Sequence, residues 1–308
     1  MRIAILGATS QIAKDLILSF SVEKNKHLHL FARRPDEIRR WLNHVGLSEQ
    51  YPAYDFSVFA SLEFDVIINF VGVGDPAQIV AIGSAIFETT LHFDEMVINY
   101  LRLHPECRYL YLSSGAAYCS DFQLPADPYT KTTIELNNLK PENWYSLAKL
   151  HAECRHRSLS HFSIVDIRVF NYFSHTQNIH SRYLMTEVCY AIKFRGLFRT
   201  SSVDIVRDYI YPPDLYKLFS LIIASEPQNT AVDCYSLAPA SKLCILRAMK
   251  DNFGLNFEIS PLESGLVASG IKPHYYSLNK KAAEFGFEPT MTSIDSVIGE
   301  ASLLLGDK

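Results

Sequence analysis

"RIAILGATSQIAKDLILSF", residues 2–20, decides the fold. It opens with a short apolar run that stops at Gly7, and from Gln11 onward the period changes: Ile12, Leu16 and Phe20 recur at helical spacing. A buried strand, a glycine turn and an amphipathic helix follow in that order.

The pattern repeats outward. "HLHLFARR" (27–34) is a second strand signal, and "PDEIRRWLNHV" (35–45) follows it with proline at a first helical position. "DVIINFVGVG" (65–74) and "RYLYLSSG" (108–115) are further apolar runs, the latter preceded by the helix-like "FDEMVINYLRLH" (93–104); "FSIVDIRVF" (162–170) is another. Near-continuous apolar strands alternating with helices imply a parallel sheet covered on both faces. The expected class is therefore α/β, a doubly wound parallel Rossmann sheet, with a smaller C-terminal α/β lobe where Gly and Pro become commoner beyond residue 195.

The 308 residues suffice for two domains or one large α/β unit. A net charge of −4 and a pI near 6.3 give no footprint for nucleic acid or an anionic membrane. Cys107, Cys119, Cys154, Cys189, Cys234 and Cys244 are scattered, without Cys-x-x-Cys or zinc-type spacing, so no metal is expected and the thiols should be reduced and mostly buried. With no signal-like N-terminus and no run of about 18 apolar residues, the expectation is a soluble cytoplasmic protein.

"GATSQIA" (7–13) sits where the first strand meets the first helix, a junction that aims free backbone N–H groups and a helix N-terminus at a ligand phosphate. A full glycine fingerprint would place Gly at 7, 10 and 13; here Ser10 and Ala13 stand in the last two places. The Ser10 hydroxyl could bond a phosphate, or its bulk could weaken binding, and an ordinary βα turn is the alternative. After the second strand, Arg33 and Arg34 suit a ribose 2′-phosphate better than a 2′-hydroxyl, which favours NADP(H) over NAD. "NWYSLAKL" (143–150) spaces Tyr145 and Lys149 one helical turn apart, on one face. Alone, such a pair reads first as a solvated helix face, since it arises often by chance in a chain with 17 tyrosines.

Taken in order, these segments resemble the extended short-chain dehydrogenase/reductases that modify nucleotide sugars, over nearly the whole chain. The glycine turn is joined by "NFVG" (69–72), "YLSSGAAY" (111–118), "YSLAK" (145–149), "RVFNYF" (168–173), "RDYIYPPDL" (207–215) and "YSLNKKAAEFGFEP" (276–289). The resemblance implies a catalytic set of Ser114, Tyr145 and Lys149. It implies cofactor contacts at Gly7, Thr9, Ser10, Gln11, Ile12, Arg33, Arg34, Asn69, Val71 and Lys149, and substrate contacts at Asn171 and Arg207. Residues 1–170 would be the dinucleotide-binding domain, with about 208–240 returning to it, and 171–207 with 241–308 the substrate lobe. A homodimer built through the Tyr145 helix is also implied.

In that family a tyrosine exchanges a proton with the sugar oxygen as hydride moves between sugar and nicotinamide, and a neighbouring cation must make the phenolate accessible, since a free phenol titrates near ~10. Departures narrow the reaction. The 4,6-dehydratases carry Asp and Glu where this chain has Gly115 and Ala116, and the double epimerases carry Cys at Gly115 with a downstream His, for which His180 is a weak stand-in. Cys119, in place of a usual glycine, is expected to be structural. Arg207 would meet the diphosphate, Asn171 would face the sugar or its phosphate, Asp214 would fix its own loop, and Tyr172 and Arg182 lie in the variable sugar-facing stretch. Reduction of a keto sugar by NADPH leads on the strength of Arg33 and Arg34. The alternatives are 4-epimerisation with tightly held NAD and a non-catalytic dinucleotide sensor suggested by Ser10.

Overall fold

The computed structural model describes residues 1–23, 25–72, 79, 81–260 and 272–306. The expectations for 73–74, 261–271 and 307–308 lie outside these residues. Seven parallel strands form the main sheet: β1 (Arg2–Leu6), β2 (His27–Phe31), β3 (Ala53–Tyr54), β4 (Val66–Asn69), β5 (Arg108–Ser114), β6 (Ile164–Val169) and β11 (Thr230–Asp233). Their order is β11-β6-β5-β4-β1-β2-β3. Leu6 is in register with Phe31 on one side and Asn69 on the other, so three strands end at one level. The order reverses between β1 and β4, and such a reversal opens a crevice at the carboxyl ends of the strands.

β1 shows why the run had to be apolar. Ile3 and Ile5 enter one core with Leu16, Ile17 and Phe20 of α1 (Gln11–Phe20), while Ala4 and Leu6 enter the other with Val97 and Leu101 of α3 (Ala85–Leu103). Alternate side chains face opposite ways, and helices cover both faces. α2 (Pro35–His44), α4 (Trp144–Ser158) and α6 (Pro212–Ala224) complete the two layers. No described helix is long and apolar enough to cross a membrane.

A second unit is built from short strands: β7 (Asn171–Tyr172) with β10 (Tyr209–Ile210), β8 (Leu197–Ser201) with β13 (Asn256–Ser260), and β12 (Ala240–Ser241) with β9 (Val206–Arg207) and β14 (His274–Tyr275). Its own core gathers Val188, Ile245, Met249 and Val297 from α5 (Leu184–Lys193), α7 (Lys242–Phe253) and α8 (Ser293–Leu305). Local sequence sets the helix ends. Ser241 accepts the Cys244 N–H to start α7, Gly254 at φ +70° ends it, and Thr292 with Asp295 forms a capping box for α8.

The two units are tied beside the crevice. Asp15, one turn into α1, accepts the hydroxyls of Tyr172 and Ser174 at 2.7 Å each and also meets Thr176 and Gln11. On the other side of the same segment, His175 gives its N–H to Glu300 of α8. A carboxylate near the start of the first helix thus latches the strand that enters the second unit.

Candidate active site

Gly7 holds the switch point open. At φ +74° its backbone is left-handed, and a Cβ there would lie 2.9 Å from both Phe70 C and Val71 N, backbone atoms that cannot yield. Ser10 is the helix N-cap, its Oγ accepting the Ala13 N–H at 3.3 Å, a bond that leaves the hydroxyl hydrogen able to donate. Thr9 is exposed, and Gln11 and Ile12 stand half-buried in the first turn, where backbone N–H groups have no helical acceptor. The Gln11 side chain is engaged by Asp15 and Thr176. Asn69, buried at the end of β4, gives its amide to Tyr109 Oη and takes the Val71 N–H at 2.8 Å, so it shapes the wall beside Gly7. This turn can receive a phosphate.

Ser114, the last residue of β5, and Tyr145 and Lys149 of α4 converge on the same crevice. Burial pushes the Tyr145 phenol up, and a hydrogen bond with Ser114 pulls it back. Lys149 leaves the helix on the same face but ends on other partners: Nζ donates to Leu112 O at 2.8 Å and to Tyr111 Oη at 3.1 Å. A Cβ on Gly72 would sit 3.6 Å from that ammonium, which places it at the end of β4, close to Gly7. Burial pulls Lys149 down to about 8 against the opposing pull of Glu153, Asp166 and Asp94. The expected pairing of ammonium and phenol is thus absent in this geometry, because the Leu112 carbonyl offers the buried ammonium a nearer acceptor.

Sequence reasoning missed two residues on the substrate side. Tyr275 of β14 brings its hydroxyl to 3.0 Å from Ser114 Oγ, with its ring edge-on to Phe122 at 4.8 Å. Lys272 lies over that same ring at 5.1 Å, and the Arg207 guanidinium at 5.8 Å. Among the described residues Arg207 donates to the carbonyls of Val206 and Lys272, and neither cation has a carboxylate partner. Burial lowers both, as expected for cations drawn partly out of water. Asn171 bridges the backbones of Asp208 and Tyr275 at 3.4 and 3.5 Å and so fixes this wall. The only sequence signal for Lys272 and Tyr275 was a cation and an aromatic just ahead of the "YSLNKK" segment, which without the fold points nowhere.

Gly115 has a steric explanation. A Cβ there would lie 2.4 Å from the Phe170 ring, so no acid or thiol fits at this position without moving Phe170. The wall next to Ser114 is instead aromatic, built from Tyr118, Phe122 and Phe170 with Tyr275 against it.

Of the remaining candidates, Arg33 and Arg34 lie just after Phe31, whose carbonyl accepts the Gly7 and Ala8 N–H groups. Both are exposed, and Arg34 is paired with Glu37 at 3.0 Å. His180 is exposed against Tyr190, and Arg182 is exposed. Asp214 takes the N–H and hydroxyl of Thr290, a loop anchor. Cys119 adopts a left-handed φ of 47° and is half-buried, its thiol pushed up to about 11 by burial.

Beneath the crevice, His156 is fully buried between Asp94 and Asp166, which lift it to about 9 despite desolvation. A folded value above the unfolded 6.5 adds stability that is fully present below 6.5 and is lost as pH rises through 9. Lys149, depressed from 10.5, acts in the opposite sense above 8. Between about 6.5 and 8 the histidine acts nearly alone, so chemical denaturation across that window should show stability falling with pH, and replacing His156 with Gln should flatten the slope.

Residues 3–234 match the NAD dependent epimerase/dehydratase family. No curated protein sequence matches the chain. Among solved structures, UDP-glucose 4-epimerase from Bifidobacterium longum in complex with NAD+ and UDP superimposes with a TM-score of 0.76 at 18% identity, covering 100% of this chain and 99% of the other. UDP-glucuronic acid 4-epimerase from Bacillus cereus, with UDP-glucuronic acid and NAD, gives 0.79 at 14% over 99% of both chains. dTDP-glucose 4,6-dehydratase from Bacillus anthracis, with NAD, gives 0.76 at 13%, covering 100% and 97%. At these identities the likeness is one of fold, whereas the family match rests on the sequence itself and spans most of the chain. The chain belongs to the NAD dependent epimerase/dehydratase family of enzymes.

Proposed function

We propose that this enzyme interconverts C4 epimers of a nucleotide-diphosphate sugar through a transient ketone. The reading is supported by the Ser114–Tyr145 hydroxyl pair lying between the Gly7 turn on one side and, on the other, Arg207 and Lys272, which have no carboxylate partner among the described residues. The turn fits a dinucleotide: a left-handed Gly7 that admits no Cβ, and free N–H groups at the start of α1, would hold its pyrophosphate. Asn69 and Val71 would border it, and Lys149 would hold the nicotinamide ribose. Bound NAD supplies the hydride acceptor and donor. Tyr145 takes the proton from the C4 oxygen and returns it, and Ser114 donates a hydrogen bond to that oxygen. Because burial keeps the phenol protonated, the resting state suits donation to a ketone oxygen; moving the Lys149 ammonium from Leu112 toward the crevice would favour the acceptor state. Arg207 and Lys272 grip the diphosphate, which leaves the sugar free to present either face.

The solved relatives include UDP-sugar 4-epimerases with NAD, which favours this reading. Dehydration has no acid at position 115, where Phe170 fills the space. Reduction by NADPH uses the same three residues and retains the exposed Arg33 as its support, but the Arg34–Glu37 pair weakens the case for a 2′-phosphate. The sensor reading is weakened by a helix-capping role for Ser10, which accounts for a serine at that position without any regulatory purpose.

Incubating the purified enzyme with UDP-glucose, and separately with UDP-galactose, without added cofactor should yield both sugars from either, and denaturation should release NAD. NADPH consumption with a nucleotide 4-keto-6-deoxysugar would establish the reductase instead, and neither result would refute both. Replacing Arg207 with Met should raise KM for the sugar nucleotide by about 10- to 100-fold with kcat nearly unchanged, as expected for the loss of a charged hydrogen bond made equally in ground and transition states. Lys272→Met should act in the same direction in the same steady-state measurement.

A further inference from the structure

The buried face of α4 is not apolar. Lys149, Glu153 and His156, at i, i+4 and i+7, all point inward and are 6% exposed or less. Three ionisable side chains on a buried face are a poor device for stability, because desolvation offsets much of what their pairing returns. Their contacts indicate another use. His156 Nδ1 lies 2.6 Å from Asp166 Oδ1, and Nε2 lies 2.7 Å from Asp94 Oδ1. Two carboxylate oxygens on two ring nitrogens require a hydrogen on each, so the ring is a cation. Arg155 and Arg157 hold the outer oxygens, Asp94 Oδ2 and Asp166 Oδ2, at 2.7 Å each. Tyr111 stands between this cluster and Lys149. Its ring meets His156 edge-on at 5.2 Å, and its Oη accepts from the Lys149 ammonium.

We propose that Asp94, His156 and Asp166 are positioning residues for Lys149, supplying past the buried Tyr111 the fixed field that decides whether its ammonium stays charged. The inference rests on the reading of Lys149 as the cation of the active site. The titratable and charged groups around it are Tyr145, Glu153 and His156 from α4, Tyr109 and Tyr111 from β5, Asp166 and Arg168 from β6, and Asp94 from α3. Glu153 is already committed to Ser113 and, through both oxygens, to Arg168. The remaining lever is the cluster, whose three members carry two negative charges and one positive. Asp166 and Asp94 both hold Lys149 up against desolvation, which agrees with that sign.

The test is a titration of Lys149 itself, by NMR of protein labelled with ζ-15N lysine, the resonance being assigned by its loss in Lys149→Met. Asp166→Asn removes a negative charge and should lower the Lys149 midpoint, whereas His156→Gln removes a positive charge and should raise it. Each shift should be about half a unit or more, below the one to three units of a directly touching charge, because a ring intervenes. The double variant Asp166→Asn/His156→Gln removes one charge of each sign and should return the midpoint close to its original value. Single variants that shift it in the same direction, or leave it unmoved, would overturn the proposal. Should these variants fail to fold, Tyr111→Phe keeps volume and cluster while deleting one of the ammonium's two acceptors and leaving Leu112 O; the midpoint should then fall, and an unchanged value would overturn the link. The alkaline limb of kcat/KM should follow the NMR midpoints across the series. Failure of turnover on sugar nucleotides would leave the titration standing and count against the proposed reaction alone.

Discussion

Tyr145→Phe should lower turnover of the sugar nucleotide by roughly 10²–10⁴-fold, the range for losing a positioned general acid–base group. The change removes one oxygen. Ser114 is the hydrogen-bond partner that shifts that phenol, and Ser114 retains the Tyr275 hydroxyl at 3.0 Å and the Ala116 N–H at 3.2 Å, so the strand end keeps its order without it. Melting temperature, retained dinucleotide and the dissociation constant for UDP should therefore stay close to those of the parent. This combination separates chemistry from architecture. If turnover fell less than about tenfold, another group would be moving the proton, and Tyr275, on the same serine, would be the first to examine.

The second large effect is expected at Gly7, where Ala should destabilise the protein and abolish measurable dinucleotide binding. Two costs combine. A non-glycine residue in the left-handed region costs roughly 1–2 kcal/mol, and the new Cβ would press 2.9 Å against backbone atoms of Phe70 and Val71. Relief requires β1 and β4 to part at the switch point, where Gly7 N–H also bonds Phe31 O at 2.9 Å. Gly46 supplies the control, since it has the same φ of +74° with nothing within 4 Å of its Cβ position. Gly46→Ala should cost the conformational part alone, about 1–2 kcal/mol, or a few degrees in melting temperature. Gly7→Ala should exceed that clearly and also flatten the dinucleotide titration, while equal losses at the two positions would show that the close approach does not matter.

The doubly wound sheet was legible because burial on both faces leaves a plain mark: strands such as Ile3–Leu6 and Val66–Ile68 must be apolar throughout. The spacing of Tyr145 and Lys149 was legible because a helix converts an interval of four into one face. What those side chains touch was not. Tyr275 reaches Ser114 from 161 residues away, and Asp15 is met by Tyr172 from 157 residues away, through short strands with no period to read. Gly115 was noticed as a departure, but its cause, the Phe170 ring, needed coordinates. The buried cluster was hidden for a different reason: Asp94, His156 and Asp166 fall within segments whose remaining letters announce helix and strand, where a charged residue reads as solvated until its neighbours are known.

β11, the edge strand beside β6, has a consequence for how the molecule is made. While a ribosome is still translating the second unit, β6 has no neighbour on its outer side, and Arg168 lacks the Asp233 carboxylate that later joins it. Only when Thr230–Asp233 emerges can the sheet gain this last strand, and Ser277 and Lys281, which hold Asp233 and Thr230, are synthesised later still. The nascent chain should therefore leave β6 unpaired on its outer side until Thr230–Asp233 emerges, and resist a protease fully only once Ser277 and Lys281 have followed.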